Sequence, residues 1–267
     1  MTVDLQLVRS ILFLPASNPR AIEKARTLGA DLVVLDLEDS VRPEDKQRAR
    51  DAAVEAVSAD WPMPVAIRVN GVGSEWHGPD LVAATHCSAD LIVVPRVEDR
   101  AELAFVRTQS GKPIAAMIET ARGVLAAPQV TPDCAALIAG TNDLRSSLRL
   151  PLDADRAAIS ASLQLIVLAA RAAGIAVFDG VYNKLDDLDG FVAEAEASRA
   201  LGFDGKSLIH PSQIEPCHRA FAPTDAELDR ARRLVDAFHG GAERFENEMI
   251  ERMHVEQARR LLDRAAT

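Results

Sequence analysis

The sequence predicts one (β/α)₈ barrel, a TIM barrel, over residues 1–222, followed by a helical extension over residues 223–267. Three observations carry that prediction. A strand–helix unit recurs along the chain, with eight strand candidates in all. The strand segments are apolar throughout and do not alternate, which suits strands covered on both faces of a parallel sheet. A polar residue stands at almost every strand exit, the place where barrel enzymes keep their chemistry. A doubly wound sheet is the alternative, but it generally needs fewer strands and a recognisable phosphate turn.

Taken in order, the first strand is Ser10–Leu14, and Asn18 before Pro19 has the pattern of a helix start. Asp31–Leu35 is the second strand and ends in the acidic run Asp36-Leu37-Glu38-Asp39. A helix is expected from about Pro43 to Val57. The third strand, Val65–Val69, delivers Arg68 and Asn70 ahead of a glycine-rich loop. The fourth, Leu91–Val94, closes in Pro95-Arg96, with a helix over Arg100–Thr108. Ile114–Ile118 and Ala135–Ala139 are the fifth and sixth strands. A long amphipathic helix over Asp155–Ala173 stops at Gly174, a residue suited to the left-handed position past a helix end. Ile175–Phe178, a helix over Asp187–Leu201 and the strand Ser207–Ile209 complete the barrel. In the tail, Thr224-Asp225-Ala226-Glu227 has capping-box spacing and opens a helix to about His239. After Gly240-Gly241 a second helix is expected over Asn247–Arg264, with Met249, Ile250, Met253, Leu261 and Leu262 on a stripe that needs covering, best by a neighbouring subunit.

The composition excludes several function classes. A formal net charge of −10 over 267 residues offers no basic face for a duplex, so no nucleic-acid partner is expected. Cys87, Cys134 and Cys217 are odd in number and lack metal-type spacing, which suits reduced thiols in a cytoplasmic protein. The segment ILFLPA is too short for an export signal, and Leu163–Ala170 is bounded by Arg171, so no membrane partner is expected. An anionic substrate would then need local cations, and Arg9, Arg20 and Lys24, at or just after the first strand, are the candidates. Lys112 and Lys206 stand at strand starts, the wrong end for a Schiff-base aldolase.

The chemistry centres on two carboxylates. Glu119 follows the fifth strand and Asp143 lies just beyond the sixth. Either alone would serve as a cap. Together, leaving neighbouring parallel strands at one level, they repel unless a proton or cation separates them. Mg²⁺ suits such a pair, because it takes one or two protein carboxylates and completes its shell with water and substrate oxygen.

The ordered set Arg9-Ser10, Leu35–Val41 (LDLEDSV), Arg68-Val69-Asn70, Pro95-Arg96, Ile118-Glu119-Thr120, Gly140–Leu144 (GTNDL) and Gly202–Ile214 (GFDGKSLIHPSQI) resembles the citrate lyase β-subunits. Their relatives in the HpcH/HpaI aldolase superfamily include malyl-CoA and citramalyl-CoA lyases. The resemblance implies a Mg²⁺-dependent barrel forming a homotrimer or a multiple of it. It implies Glu119 and Asp143 as metal ligands, Arg68 with Glu119 at the α-keto acid, and Glu38 and Asp39 near the metal through water. The implied reaction is carbon–carbon cleavage of a citryl, malyl or citramalyl thioester, carried on CoA or an acyl carrier, to a keto acid such as oxaloacetate. Related lyases end in a G-x-M-[IV]-D-x-P segment whose aspartate serves a neighbouring active site. Here Glu251 replaces that aspartate and Met253 stands where proline is common, while Asn142 replaces a frequent acid. A catalytically silent barrel that binds a keto acid or carrier protein is the alternative reading.

Overall fold

The computed structural model describes residues 4–266. The chain divides into two units, residues 1–220 and 221–267.

The first unit alternates strand and helix. In order come β1 (Ser10–Pro15), α1 (Pro19–Ala25), β2 (Leu32–Asp36), α2 (Lys46–Ala56), β3 (Val65–Arg68), α3 (His77–His86), β4 (Leu91–Val94) and α4 (Arg100–Ser110). There follow β5 (Ile114–Ile118), α5 (Ala121–Val130), β6 (Ala136–Ala139), α6 (Thr141–Ser147), α7 (Ser160–Ala173), β7 (Ala176–Asp179), α8 (Leu188–Leu201), β8 (Gly205–Leu208) and α9 (Ile214–Phe221). All eight strands pair in parallel and in sequence order, and β8 closes on β1 through Ile11↔Ser207 and Leu12↔Leu208. This is the (β/α)₈ barrel the apolar strands predict.

Local chemistry sets the boundaries. Asn18 caps α1, its side chain accepting from the Ala21 amide, with Pro19 in the first helical position. Gly174 ends α7 at φ +69, a conformation a β-carbon would oppose. The glycine-rich segment after β3 gives way to α3, a helix that the sparse apolar spacing of residues 77–86 does not predict. By length and composition alone the run Arg156–Ala173 is apolar enough to cross a membrane, longer than the Leu163–Ala170 stretch read from sequence. One face of it has a local use, while Leu165 and Leu168 stay exposed. Ile159, Leu163, Ile166, Val167, Ala169 and Ala170 are buried in the first unit, and burying such aliphatic side chains stabilises by roughly 1.5–3 kcal/mol each for the larger ones.

Within the barrel the period of two decides which side chains meet. Ile11, Leu32, Val34, Ala66, Leu91, Val93, Ala115, Met117, Ala136, Ile138, Ala176 and Phe178 form the interior cluster. Two residues further along three of these strands, in the same inward register, stand Asp36, Arg68 and Glu119. The apolar filling thus gives way to a charged layer at the C-terminal end.

The second unit differs from its predicted form. Thr224 and Glu227 do form a capping box at the start of α10 (Asp225–Ala237). The segment expected to be helical from Asn247 begins instead with an antiparallel hairpin, β9 (Glu243–Phe245) and β10 (Glu248–Ile250), before α11 (Arg252–Ala266). Glu246, at φ +53, makes the turn. Ala231, Leu234, Phe245, Ile250, Val255 and Ala258 bury one another, with Leu261 and Leu262 packed against them. The predicted stripe is therefore partly covered inside the tail itself, while Met249 and Met253 remain 65% and 60% exposed.

Candidate active site at the barrel mouth

A cavity of about 430 Å³ opens at the C-terminal ends of the strands. Phe13, Asp36, Asp39, Arg68, Met117, Glu119, Asn142, Asp143, Asn183 and Ser207 are among the residues lining it.

Glu119 leaves β5 in the inward register and is 2% exposed. Its Oε1 accepts from the Arg96 amide at 2.6 Å. Behind it Gly140 allows the close approach: a β-carbon there would stand 2.3 Å from both Glu119 Cβ and Oε2. Burial first, then the neighbouring Asp143 charge, pushes the Glu119 carboxyl up to about 7. Asp143 sits in the first turn of α6, half-exposed, and its Oδ1 lies 3.8 Å from Arg96 Nη1.

Arg68 is buried, and burial opposes its charge, yet the carboxylates around it raise its pKa further. Its Nε and Nη2 donate to the two oxygens of Asp36 at 2.6 and 2.8 Å, a bidentate fork. Its Nη1 lies 2.7 Å from Glu38 Oε2, an ion pair outside hydrogen-bond geometry, since that oxygen has no hydrogen-bond donor. The guanidinium also stands over the Phe13 ring, 5.5 Å from its centroid. Asp36 further accepts from the amides of Glu38 and Ser40 and from the Ser40 hydroxyl. Burial would raise its pKa, but Arg68 outweighs that and holds it below the usual range. For Glu38 the same arginine does not outweigh burial. Burial, opposed by Arg68 and reinforced by Asp39, Glu119 and Asp36, pushes it up to about 8. Lys46 pins the loop that carries Glu38 and Asp39 by donating to the Leu37 and Glu38 carbonyls and to Asn70 Oδ1, each at 2.7 Å.

The structure brings Glu119, Asp143, Arg68, Glu38 and Asp39 to this mouth. It does not bring Arg9, and the substrate-binding role expected for that residue is corrected. Arg9 precedes β1, so it lies at the N-terminal end of the barrel, with its Nε 3.7 Å from Asp31. Arg20 and Lys24 lie on α1 and are exposed. Glu251 belongs to the second unit, in the joint between β10 and α11, where its amide donates to His254 Nδ1. Two histidines pack against these elements, His77 buried and His218 half-buried. His77 is buried with Nδ1 on the Asn70 carbonyl, and His218 Nε2 meets Ser10 Oγ at 2.7 Å. Asp36 and Lys46 were missed as site residues. The signal for Asp36 was available: it stands two residues past Val34 on the inward side of β2.

The donor set fits a hard divalent cation. Glu119 and Asp143 line one cavity together with Asp36 and Asp39, and among the described residues no hydrogen bond engages Glu119 Oε2. Among the described residues no three His, Cys, Asp or Glu side chains converge as a complete metal cage. The protein supplies a partial oxygen shell of the sort Mg²⁺ accepts, the remainder coming from water and substrate.

The architecture is thus a parallel (β/α)₈ barrel whose mouth carries an acidic, oxygen-rich site around one buried arginine. Residues 9–211 match the HpcH/HpaI aldolase/citrate lyase family, and the chain belongs to it. A (3S)-malyl-CoA thioesterase of Cereibacter sphaeroides (strain ATCC 17025) is 40% identical over 268 residues, covering 96% of this chain and 94% of that protein. The citrate lyase subunit beta of Escherichia coli (strain K12) is 32% identical over 280 residues, covering 96% and 93%. Among solved structures, CitE from Mycobacterium tuberculosis in complex with magnesium, acetoacetate and coenzyme A superposes with a TM-score of 0.88. It is 29% identical, covering 98% of this chain and all of that one.

Proposed function

We propose that this protein is a Mg²⁺-dependent carbon–carbon lyase acting on a 3-hydroxyacyl thioester of the malyl, citramalyl or citryl type. One observation carries the reading: Glu119, Asp143 and Arg68 converge on a single cavity at the barrel mouth. Similarity to a CitE structure holding magnesium, acetoacetate and coenzyme A supports the choice of metal and substrate class.

In the cleavage direction the 3-hydroxyl loses its proton and the adjacent C–C bond breaks, leaving a keto acid and a thioester enolate. Glu119 and Asp143 would hold the ion, which when bound supplies Lewis acidity at the substrate oxygens. Arg68 retains N–H donors beyond those engaged by Asp36, and these would meet carboxylate or keto oxygen where negative charge develops. Asp36 and Phe13 keep that guanidinium in place, so the donors need no reorganisation during the reaction. Glu38, pushed up to about 8 chiefly by burial, lies within the range suited to proton transfer near neutral pH.

A second reading is hydrolysis of the thioester itself, favoured by the 40% identity to a malyl-CoA thioesterase. Product analysis separates them. Incubated with malyl-CoA and citramalyl-CoA, with and without Mg²⁺, a lyase releases keto acid and a shorter acyl-CoA without free thiol. A thioesterase releases free CoA thiol and the intact hydroxy acid. Neither product with any thioester, CoA-bound or carrier-bound, would leave the silent binding barrel.

The proposal extends to assembly: a cytoplasmic homotrimer, or a multiple of it, in which residues 221–267 of one copy serve the site of a neighbour. The exposed Met249 and Met253 beside Glu251 support it, since large apolar side chains grouped at a surface suit a partner. Glu251 would then exchange the proton at the enolate carbon. Glu251→Gln should lower turnover about 10²-fold, the low end of general acid–base effects, with Mg²⁺ affinity unchanged. Mixing Glu251→Gln and Arg68→Ala subunits should restore part of the activity. No recovery, with subunit exchange confirmed, would remove Glu251 from the neighbour's site.

A further inference from the structure

The parallel ladder between β4 and β5 is interrupted beside Glu119. Ile92 donates to the Pro113 carbonyl, and the pairing continues through Val93↔Ala115 and Val94↔Ala116. In a parallel ladder the rungs repeat every two residues, so the amide of residue 96 should next meet the carbonyl of residue 117. It is Val97 that donates to Met117 O, at 3.1 Å. One residue, Arg96, has been inserted as a bulge. Bulges of this kind re-aim a group or end a pairing, and they gather near active sites.

Arg96 has φ +52, the left-handed region that an arginine enters only against a steric cost. The surrounding structure must hold it there. The bulge turns its amide out of the ladder and onto Glu119 Oε1 at 2.6 Å. The same residue's guanidinium reaches the other carboxylate of the pair, 3.8 Å from Asp143 Oδ1, with 59% and 40% of the two side chains exposed.

We infer that Arg96 is a positioning residue for the metal ligands, acting through two separable parts. This rests on the metal reading proposed above. The left-handed backbone aims the amide at one Glu119 oxygen and so leaves the other for the metal. The guanidinium is the counter-ion of Asp143 in the metal-free protein, and the metal must displace its influence to bind. The two parts act in opposite directions on metal affinity: the backbone favours it and the side chain opposes it.

Two substitutions separate them. Arg96→Gly keeps the amide, adopts positive φ without strain and removes the charge. Arg96→Val also removes the charge, but its branched β-carbon resists positive φ. By titration calorimetry with MgCl₂, Arg96→Gly should bind Mg²⁺ about threefold more tightly than wild type, the scale of an exposed ion pair. Arg96→Val should bind about tenfold more weakly than Arg96→Gly, the scale of losing a hydrogen bond to a charged group. Arg96→Lys should return affinity toward wild type if charge alone sets the side-chain contribution. Equal affinities for the Gly and Val variants, with far-UV circular dichroism and thermal midpoints matching wild type, would overturn the backbone part. Weaker binding by Arg96→Gly than by wild type would overturn the side-chain part.

A metal-free measurement keeps the inference distinct from the metal reading. Glu119→Ala should speed exchange of the Arg96 amide by about tenfold or more, while Asp143→Ala leaves it unchanged. An unchanged rate in Glu119→Ala would overturn the positioning of Glu119. Absence of any Mg²⁺ response in the wild type would sink the metal reading, with the amide exchange still deciding how Glu119 is held.

Discussion

The barrel carries two clusters of buried charge that share strand ends and differ in balance. On the outward side of β7 and β8, Asp179 and Lys206 are fully buried and paired with each other. Glu194 and Ser198 of α8 and Arg156 complete the set. Lys206 reaches Glu194 at 2.8 Å, Arg156 reaches Asp179 at 2.7 Å, and Ser198 donates to Asp179 at 2.7 Å. Two carboxylates meet two cations, and although burial alone would raise the Asp179 pKa, Lys206 and Arg156 hold it below the usual range. On the inward side, Asp36, Glu38, Asp39 and Glu119 surround Arg68, Asp143 stands beside Arg96 at the edge, and Lys46 holds the loop below, so that five carboxyl groups face three cations. The first cluster is neutral and closed. The second has surplus negative charge and opens on a cavity. A balanced set of ion pairs joins helix to strand, whereas an unbalanced one stores a demand for a cation that only a ligand can meet.

The comparison breaks most visibly from the closed side. Lys206→Met leaves Asp179 and Glu194 with Arg156 alone, and removing one partner of a buried pair typically costs about 3–5 kcal/mol. Urea unfolding should show that loss, with turnover per folded molecule retained. A large fall in turnover at unchanged stability would mean that Lys206 acts in the mouth after all.

From the open side the effects should reverse. Glu119→Gln removes a charge where charge is in excess, so the metal-free protein should be no less stable. Turnover should fall about 10²–10³-fold, the scale of losing one electrostatic contact to the reacting atoms, and calorimetry should show weakened Mg²⁺ binding. Loss of stability without loss of metal affinity would make Glu119 a structural group like Asp179.

The smallest effect sharpens the comparison through pH. Glu119 and Glu38 rise from an ordinary 4.5 to about 7 and about 8 in the folded protein. Between 4.5 and those values the folded state holds protons that the unfolded state has released, so metal-free stability falls as pH rises across that window. The thermal midpoint without Mg²⁺ should drop by a few degrees from pH 5 to pH 8. Glu119→Gln should flatten the slope. Added Mg²⁺ should reverse it, because ligation requires the deprotonated carboxylates. A midpoint that rises over this window would show that the mouth acids titrate in the ordinary carboxylate range.

What could be read from sequence follows from which interactions are local. Apolar runs such as Leu32–Leu35 and Ile114–Ile118 declare strands buried on both faces, and Asn18-Pro19, Gly174 and the Thr224–Glu227 box declare helix ends. These signals lie within a few residues of their effects, so the barrel and the mouth positions of Glu119, Asp143 and Arg68 were legible. Arg9 was misplaced because proximity to a strand in sequence does not say which end of that strand it occupies. The hairpin before α11 was missed because Met249, Ile250 and Met253 mimic a helical stripe over too short a span. Tertiary structure alone decided that Asp36, and not Asp39, forms the fork with Arg68, since that pairing depends on the register between β2 and β3. It alone made Arg96 a bulge, because an inserted residue exists only relative to the strand beside it. It also set the charge balance of the two clusters, which sums over side chains from four or more elements and is written in no single stretch of the chain.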